Sequence, residues 1–278
     1  MLVITAFLFG ALISLGGMPQ AGQTAAQSPF VETIYSSYIE PFGGSLPGTT
    51  LVTERIYYHR RVVNNFQISD GLPSYLSRYS CGITAGGVAV SYFNRSFPEL
   101  IPNHTAGRYL LGRWLWGAQG AGVNSMFSSL FSMMGATSQG VTMDGYLNGM
   151  RTYAASRGRT ATFTSVRSGN NRLNAAQYQA AFRQGRLLSV FMSGFGVTPL
   201  HYFHTGNGYD VVRSYVDTTS HIMIAFGYRH VYYYNAANQR TRSDVYLYVH
   251  TGFSSPITAL LPLYRFGNVD NAFITHIF

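Results

Sequence analysis

A chain with a single cysteine, Cys81, can close no intramolecular disulfide, so whatever it folds into must be held together by a buried apolar core. At 278 residues and 46% hydrophobic, the sequence has enough apolar material for one large domain or two small lobes. Only 10% of its residues are charged, while Tyr, Phe, Gly, Ser and Thr are abundant. Surface polarity must therefore come largely from hydroxyls and amides, which suits an extracytoplasmic, β-rich protein. In such a setting a lone thiol is open to oxidation and has little structural use, which favours a chemical role for Cys81. The competing reading of any single cysteine is a small buried hydrophobe.

The formal charge is +9, and every basic residue is arginine. The arginines are scattered, only Arg60 and Arg61 being adjacent, and no basic stripe interleaved with aromatics runs through the chain. That pattern predicts dispersed solvation and no nucleic-acid partner. Met1 to Gly17 is one apolar run followed by Gly-, Gln-, Ala- and Ser-rich sequence, which reads as a secretory signal segment with cleavage near Ala25 or Ala26, although no basic residue precedes it. The run is shorter than the roughly 20 residues that span a bilayer. A secreted or extracytoplasmic protein with no stable membrane insertion after signal removal is expected, its oligomeric state left open.

Along the chain, residues 1–27 form the signal segment and linker, and residues 28–69 form an N-terminal extension or short leader of extended pieces, notably Leu51 to Val62, too short for a core of its own. From Cys81 to Phe93, small and apolar residues at helical spacing predict a helix that begins on the cysteine. Further helices are predicted at Ala106 to Trp116, Asn124 to Met134, Thr142 to Arg157 and Asn174 to Gln184, and strands at Ala161 to Val166 and Leu187 to Met192. Ser193 to Ser220 reads as a long irregular segment, a candidate lid or cleft wall. The end is strand after strand: His221 to Tyr228, His230 to Tyr234, Val245 to Val249, Ala259 to Phe266 and Ala272 to Phe278. A helical half followed by an antiparallel half predicts an α+β fold of two lobes, residues 70–278 forming the domain that carries the chemistry.

A thiolate is stabilised where backbone N–H groups and a helix dipole face it, as the first turn of the 81–93 helix would arrange. The N–H groups of Cys81 and Gly82 lack intrahelical acceptors and can form an oxyanion hole, with Gly82 leaving room for a substrate carbonyl. Ala85, Gly86, Gly87 and Ala89 allow close packing on that helix. His221 opens an apolar strand directly after a loop, a position from which one ring nitrogen can reach a thiol while the other is held by a partner.

The run Cys81-Gly82-Ile83-Thr84-Ala85-Gly86-Gly87 at a helix start, with Tyr92-Phe93-Asn94-Arg95 beyond it and His221 entering a strand, resembles the papain-like cysteine peptidases, most closely the bacteriocin-processing-peptidase-like branch of bacterial secreted proteins. Cys81 and His221 are 140 residues apart, within the range of about 130–150 for such enzymes. The resemblance covers roughly residues 70 to 278 and implies a papain-like two-lobed α+β fold, with a helical N-terminal lobe facing an antiparallel β lobe. It also implies Cys81 as nucleophile, His221 as general base, and a third residue orienting the histidine. His250, in Val249-His250-Thr251-Gly252-Phe253, fills the position where an Asn or Asp is usual, with Asp270 and Asn271 as fallbacks and a bare Cys-His pair equally open. The usual oxyanion Gln just before the nucleophile is absent; Tyr75, Ser77 and the more distant Gln67 are the donors at hand.

The expected activity is hydrolysis of peptide bonds by a thiolate mechanism on a peptide or protein substrate, with no cofactor and no metal. His201, His204, Asp210 and Asp217 lack the helical frame that makes H-x-x-H pairs good ligands. The alternatives are peptidoglycan or other amide hydrolysis or acyl transfer on the same constellation, and a catalytically inactive binding protein.

Overall fold

The computed structural model describes residues 31–37, 49–169, 172–201 and 203–278. The apolar start read as a signal segment, with its cleavage site, lies outside the described residues. Strands β1 (Val31–Ser37), β2 (Thr50–Tyr57) and β3 (Arg60–Gln67) lead to α1 (Cys81–Asn94). A hairpin of β4 (Gly107–Leu110) and β5 (Arg113–Trp116) separates α1 from α2 (Ala121–Met133) and α3 (Met143–Ser156). Next come β6 (Ala161–Ser165), the short pair β7 (Arg167–Ser168) and β8 (Arg172–Leu173), and α4 (Ala175–Arg183). The chain ends in β9 (Leu187–Val197), β10 (Tyr209–Tyr234), β11 (Arg240–His250), β12 (Thr258–Leu263) and β13 (Asn268–Ile277).

One strand organises the rest. β10 is 26 residues long; its first part pairs antiparallel with β2 and β9, and its second part with β3 and β11. A straight strand of that length would separate its ends by about 85 Å. Yet the adjacent residues Tyr58 and His59 donate their N–H groups to Gly208 O, just before the strand, and to Tyr234 O at its end. β10 therefore folds back on itself, and it does so at irregularities in the ladder between Asp217 and Ser220 and between Ala225 and Gly227. The curl is tightened where Thr198 and Leu260 exchange backbone hydrogen bonds, tying the end of β9 to β12. β13 and β6 extend the sheet beyond β9.

Side chains of β10 alternate between two cores. Ile222, Ile224 and Phe226 join the apolar cluster that contains α1, whereas Met223, Ala225 and Tyr228 join a second cluster with β9, β11, β12 and α4. Where the two ends of β10 meet, the buried carboxylate of Asp210 takes a bidentate bond from Arg61 at 2.8 and 2.9 Å and the hydroxyl of Tyr233 at 3.0 Å. Arg242 bridges Glu54 on β2 to Asp244 on β11, each contact at 2.9 Å, so these charges are buried only as pairs.

The expected papain-like two-lobed α+β fold with a helical N-terminal lobe is overturned. Of the described residues 44% are strand and 23% helix, and the strands that open the chain belong to the same large antiparallel sheet as those that close it. The reason is that β2 and β3, too short to bury a core alone, complete their ladders along β10. The predicted helix at Ala106 to Trp116 is likewise a β-hairpin, turning at Leu111 and Gly112 with φ of +50° and +79°. Ser193 to Ser220, expected to be irregular, holds the end of β9 and the first part of β10. Among the described residues no helix is long and apolar enough to cross a membrane.

α1 is buried from Gly82 to Asn94, its polar Thr84 and Asn94 accepting the backbone N–H groups of Ser77 and Ile101, and it is packed by sheet and helices together. Its glycines make that possible: a Cβ on Gly87 would lie 2.1 Å from Phe127 of α2, and one on Gly86 would lie 2.6 Å from Met134. Gly87→Ala should cost about 1–3 kcal/mol, read as a lower urea midpoint at unchanged slope. Gly169→Ala, whose Cβ would meet nothing within 4 Å, should stay within about 0.5 kcal/mol of the parent.

Candidate active site

Ser80 caps α1 with extended backbone, its Oγ accepting the N–H of Ile83 at 3.5 Å, and Cys81 is the first residue of the helix. Cys81 Sγ is thus half-buried at the positive end of a fully buried helix. The residues before it are fastened down. Ser77 N–H donates to Thr84 Oγ1 at 3.0 Å, and the carboxamide of Gln119 takes the N–H and meets the carbonyl of Leu76, each at 2.9 Å.

Across from the helix start, the ladder of β10 with β9 sets His221 opposite Met192, and the imidazole is 7% exposed. This ring faces the thiol of Cys81 closely enough to lower its pKa. His221 Nε2 lies 2.7 Å from the carbonyl oxygen of Thr251, to which it can only donate. When the ring is neutral, that bond keeps the proton on Nε2 and leaves Nδ1 as the nitrogen able to accept one. Two aromatic rings hold the plane of the imidazole: Phe253 is stacked at 4.8 Å and 3°, Phe195 at 4.7 Å and 23°. Gly252, with φ +80°, turns the chain directly after the Thr251 carbonyl, a conformation that L side chains rarely adopt.

Electrostatics at the thiol run in two directions. Burial pushes Cys81 up and is the largest single influence. The hydrogen bond to His221, the charge of its ring, and the N–H groups of Ile222 and Gly82 together outweigh that, leaving the thiol below its ordinary value.

The structure thus brings Cys81 and His221 together and sets the backbone of Gly82 against the sulfur. The room expected at Gly82 for a substrate carbonyl is instead used by the protein, since a Cβ there would lie 3.1 Å from both Ile222 and Val141. His250, the residue the family resemblance sets in third place, is not the partner of His221 Nε2. It is 2% exposed, its Nδ1 accepts the N–H of Gly252 at 3.2 Å, and its buried Nε2 has no partner. Burial pushes its pKa down to about 4, so it is neutral at physiological pH and acts on the site only through the Thr251–Gly252 turn. Asp270 and Asn271 are engaged on β13, with Ser193 and Arg167 and with Ser165 respectively. Tyr75 donates to Gly117 O at 2.6 Å and Ser77 Oγ accepts from Tyr79 N–H, whereas Gln67 is exposed at the end of β3.

Sequence reasoning missed Thr251, Gly252, Phe195 and Phe253. A main-chain carbonyl leaves no mark in a sequence; the glycine after a predicted strand was the one available signal. Among the described residues no group of three or more His, Cys, Asp or Glu side chains is placed to hold a metal, and Asp210 is committed to Arg61, Tyr233 and His204. No family model, curated protein or solved structure matches the chain.

The rate of Cys81 alkylation by iodoacetamide should rise with an inflection below the ordinary thiol value. In His221→Ala the lowering influence of the ring is gone while burial remains. The inflection should then move above that value, and labelling at neutral pH should fall about tenfold or more. His250→Asn retains an acceptor for the Gly252 N–H and should keep that labelling rate within about tenfold of the parent, because the Thr251 carbonyl still holds His221.

Proposed function

We propose that the protein is a secreted cysteine peptidase that hydrolyses peptide bonds through Cys81 and His221. The observation that carries this reading is the pairing of Cys81, at a buried helix start, with the imidazole of His221, whose Nε2 is fixed on the Thr251 carbonyl. The local likeness of the sequence around Cys81 to papain-like peptidases supports it, as does the apolar start for export.

In this mechanism His221 Nδ1 takes the thiol proton and the Cys81 thiolate attacks the carbonyl carbon of the scissile amide. The N–H of Cys81, orphaned at the first helical position, faces the oxygen on which negative charge develops. The proton on Nδ1 passes to the departing amine nitrogen as the C–N bond breaks, leaving an acyl group on sulfur. His221 then takes a proton from water, whose oxygen attacks the thioester, and the carboxylic acid leaves as the thiol regains its proton. A ring locked by Thr251, Phe195 and Phe253 keeps one orientation through both proton transfers, so little reorganisation accompanies them.

A quenched-fluorescent peptide library incubated with the purified protein should be cleaved by the parent and not by Cys81→Ala. His221→Ala should lose about 10²–10⁴-fold in kcat/KM. A thioester on Cys81 should be seen by mass spectrometry with a slowly released acyl donor. An alkylatable Cys81 with no cleavage of any peptide pool would overturn the peptidase reading.

A further inference from the structure

The hairpin of β4 and β5 stands apart from the rest of the surface. Arg108, Tyr109, Leu110, Leu111, Gly112 and Arg113 are all exposed in sequence, with Leu111 at 93%, Tyr109 at 66% and Leu110 at 41%. Most other large hydrophobics are buried, so three consecutive exposed ones mark a patch rather than the scattered leucines any surface carries. The turn that displays them is not built for folding. Leu111 sits at φ +50°, where a two-residue hairpin loop favours Asn, Asp or Gly, so local conformational preference is sacrificed to keep an apolar side chain at the tip.

Charge narrows what the tip can meet. No Asp or Glu occurs between Glu99 and Asp144, so the hairpin and its surroundings in sequence carry arginine without acid. Arg108 and Arg113 flank the apolar tip on its two strands, Arg113 opposite Leu110 across the ladder. Both tryptophans of the protein, Trp114 and Trp116, follow on β5, at partial exposure below the tip. Arg108 also lines a cavity of about 540 Å³ with His104, Thr105 and Trp116, which gives an anionic group beside the guanidinium further polar neighbours. An apolar point flanked by two guanidinium groups, with indoles close behind, is the combination by which a peripheral element enters the acyl and headgroup zones of an anionic bilayer.

We propose that this hairpin docks the protein on an anionic lipid surface, with Tyr109, Leu110 and Leu111 entering the acyl boundary and Arg108 and Arg113 pairing with lipid phosphates. The base of the hairpin is tied to the segment that leads to Cys81, since Trp116 Nε1 donates to Asp70 O at 2.8 Å and Tyr75 to Gly117 O at 2.6 Å. Docking thus fixes the side of the molecule that carries the thiol relative to the bilayer. The inference does not depend on the activity of Cys81.

Because both tryptophans lie in β5, intrinsic fluorescence reports on the hairpin alone, and an apolar N-terminal segment that bound lipid would leave it unmoved. The full chain is mixed with vesicles of equimolar phosphatidylglycerol and phosphatidylcholine whose acyl chains are brominated. The expected result is a blue-shifted emission quenched by bromine. Leu110→Ser/Leu111→Ser should require about tenfold more lipid or beyond for half-quenching. Arg108→Gln/Arg113→Gln should weaken it by about fivefold for each charge, with high salt doing the same to the parent. An unchanged far-UV circular dichroism spectrum of each variant without lipid confirms that it is folded. The proposal is overturned by no quenching of the parent, by equal quenching with pure phosphatidylcholine, or by indifference to the leucine substitutions. An emission shift that follows protein concentration without vesicles would also overturn it, making the tip a contact between copies.

Discussion

The backbone ladder of β10 is the constraint on which the rest of the structure depends. Its two parts are claimed by different neighbours, β2 and β9 on the first, β3 and β11 on the second, and its ends are brought together by consecutive residues of one short connection. Register in such a ladder is set by side-chain burial on both faces, because a slip of one residue would exchange the Ile222–Ile224–Phe226 set with the Met223–Ala225 set. His221 is fixed by that register, and so is the backbone of Ile222, whose N–H faces the thiol. The position of the proposed base is therefore a property of the whole sheet rather than of a loop.

α1 supplies the opposing half by a different device. It is buried on all sides and rich in Gly and Ala, so its neighbours approach closely and hold its first residue still. The imidazole is fixed by one hydrogen bond to a carbonyl and by two stacked rings, with no side-chain carboxylate or carboxamide bonded to it among the described residues. A carbonyl orients the ring and fixes its tautomer as an Asn would, but it adds no negative charge to stabilise an imidazolium. The thiol's lowered value instead draws on the ring's own charge and on backbone N–H groups, working against burial.

How much of this was legible in the sequence differs by element. The helix on Cys81 and those read near 124–134, 142–157 and 174–184 carry apolar residues at helical spacing, α1, α3 and α4 with side-chain caps at Ser80, Thr142 and Asn174, and their boundaries agree with α1, α2, α3 and α4 to within about three residues. Ala106 to Trp116 failed because Leu and Trp suit helix and strand alike over a short run, and the turn rests on Leu111, which no turn rule selects. The lobe arrangement failed because pairing partners are long-range: nothing in Thr50 to Gln67 states that its ladder lies some 150 residues downstream. At the site, Cys81 and His221 were visible as residue types with a reason to meet. Thr251 was invisible because it acts through its main chain.

The pairing of β2 and β3 with β10 also bears on how a protein of this kind can be processed after synthesis. These strands supply the partner for both arms of the longest strand, bring Arg61 to its buried Asp210 and Glu54 to Arg242 of β11, and so belong to the folded body as much as the helices do. Proteolysis that trims the amino end while sparing the ladders of β10 has to act before Thr50. There the sole described strand is β1, which is hydrogen-bonded to β2 alone. The boundary between what leaves the ladders of β10 intact and what breaks them thus falls at the start of β2, well ahead of Cys81.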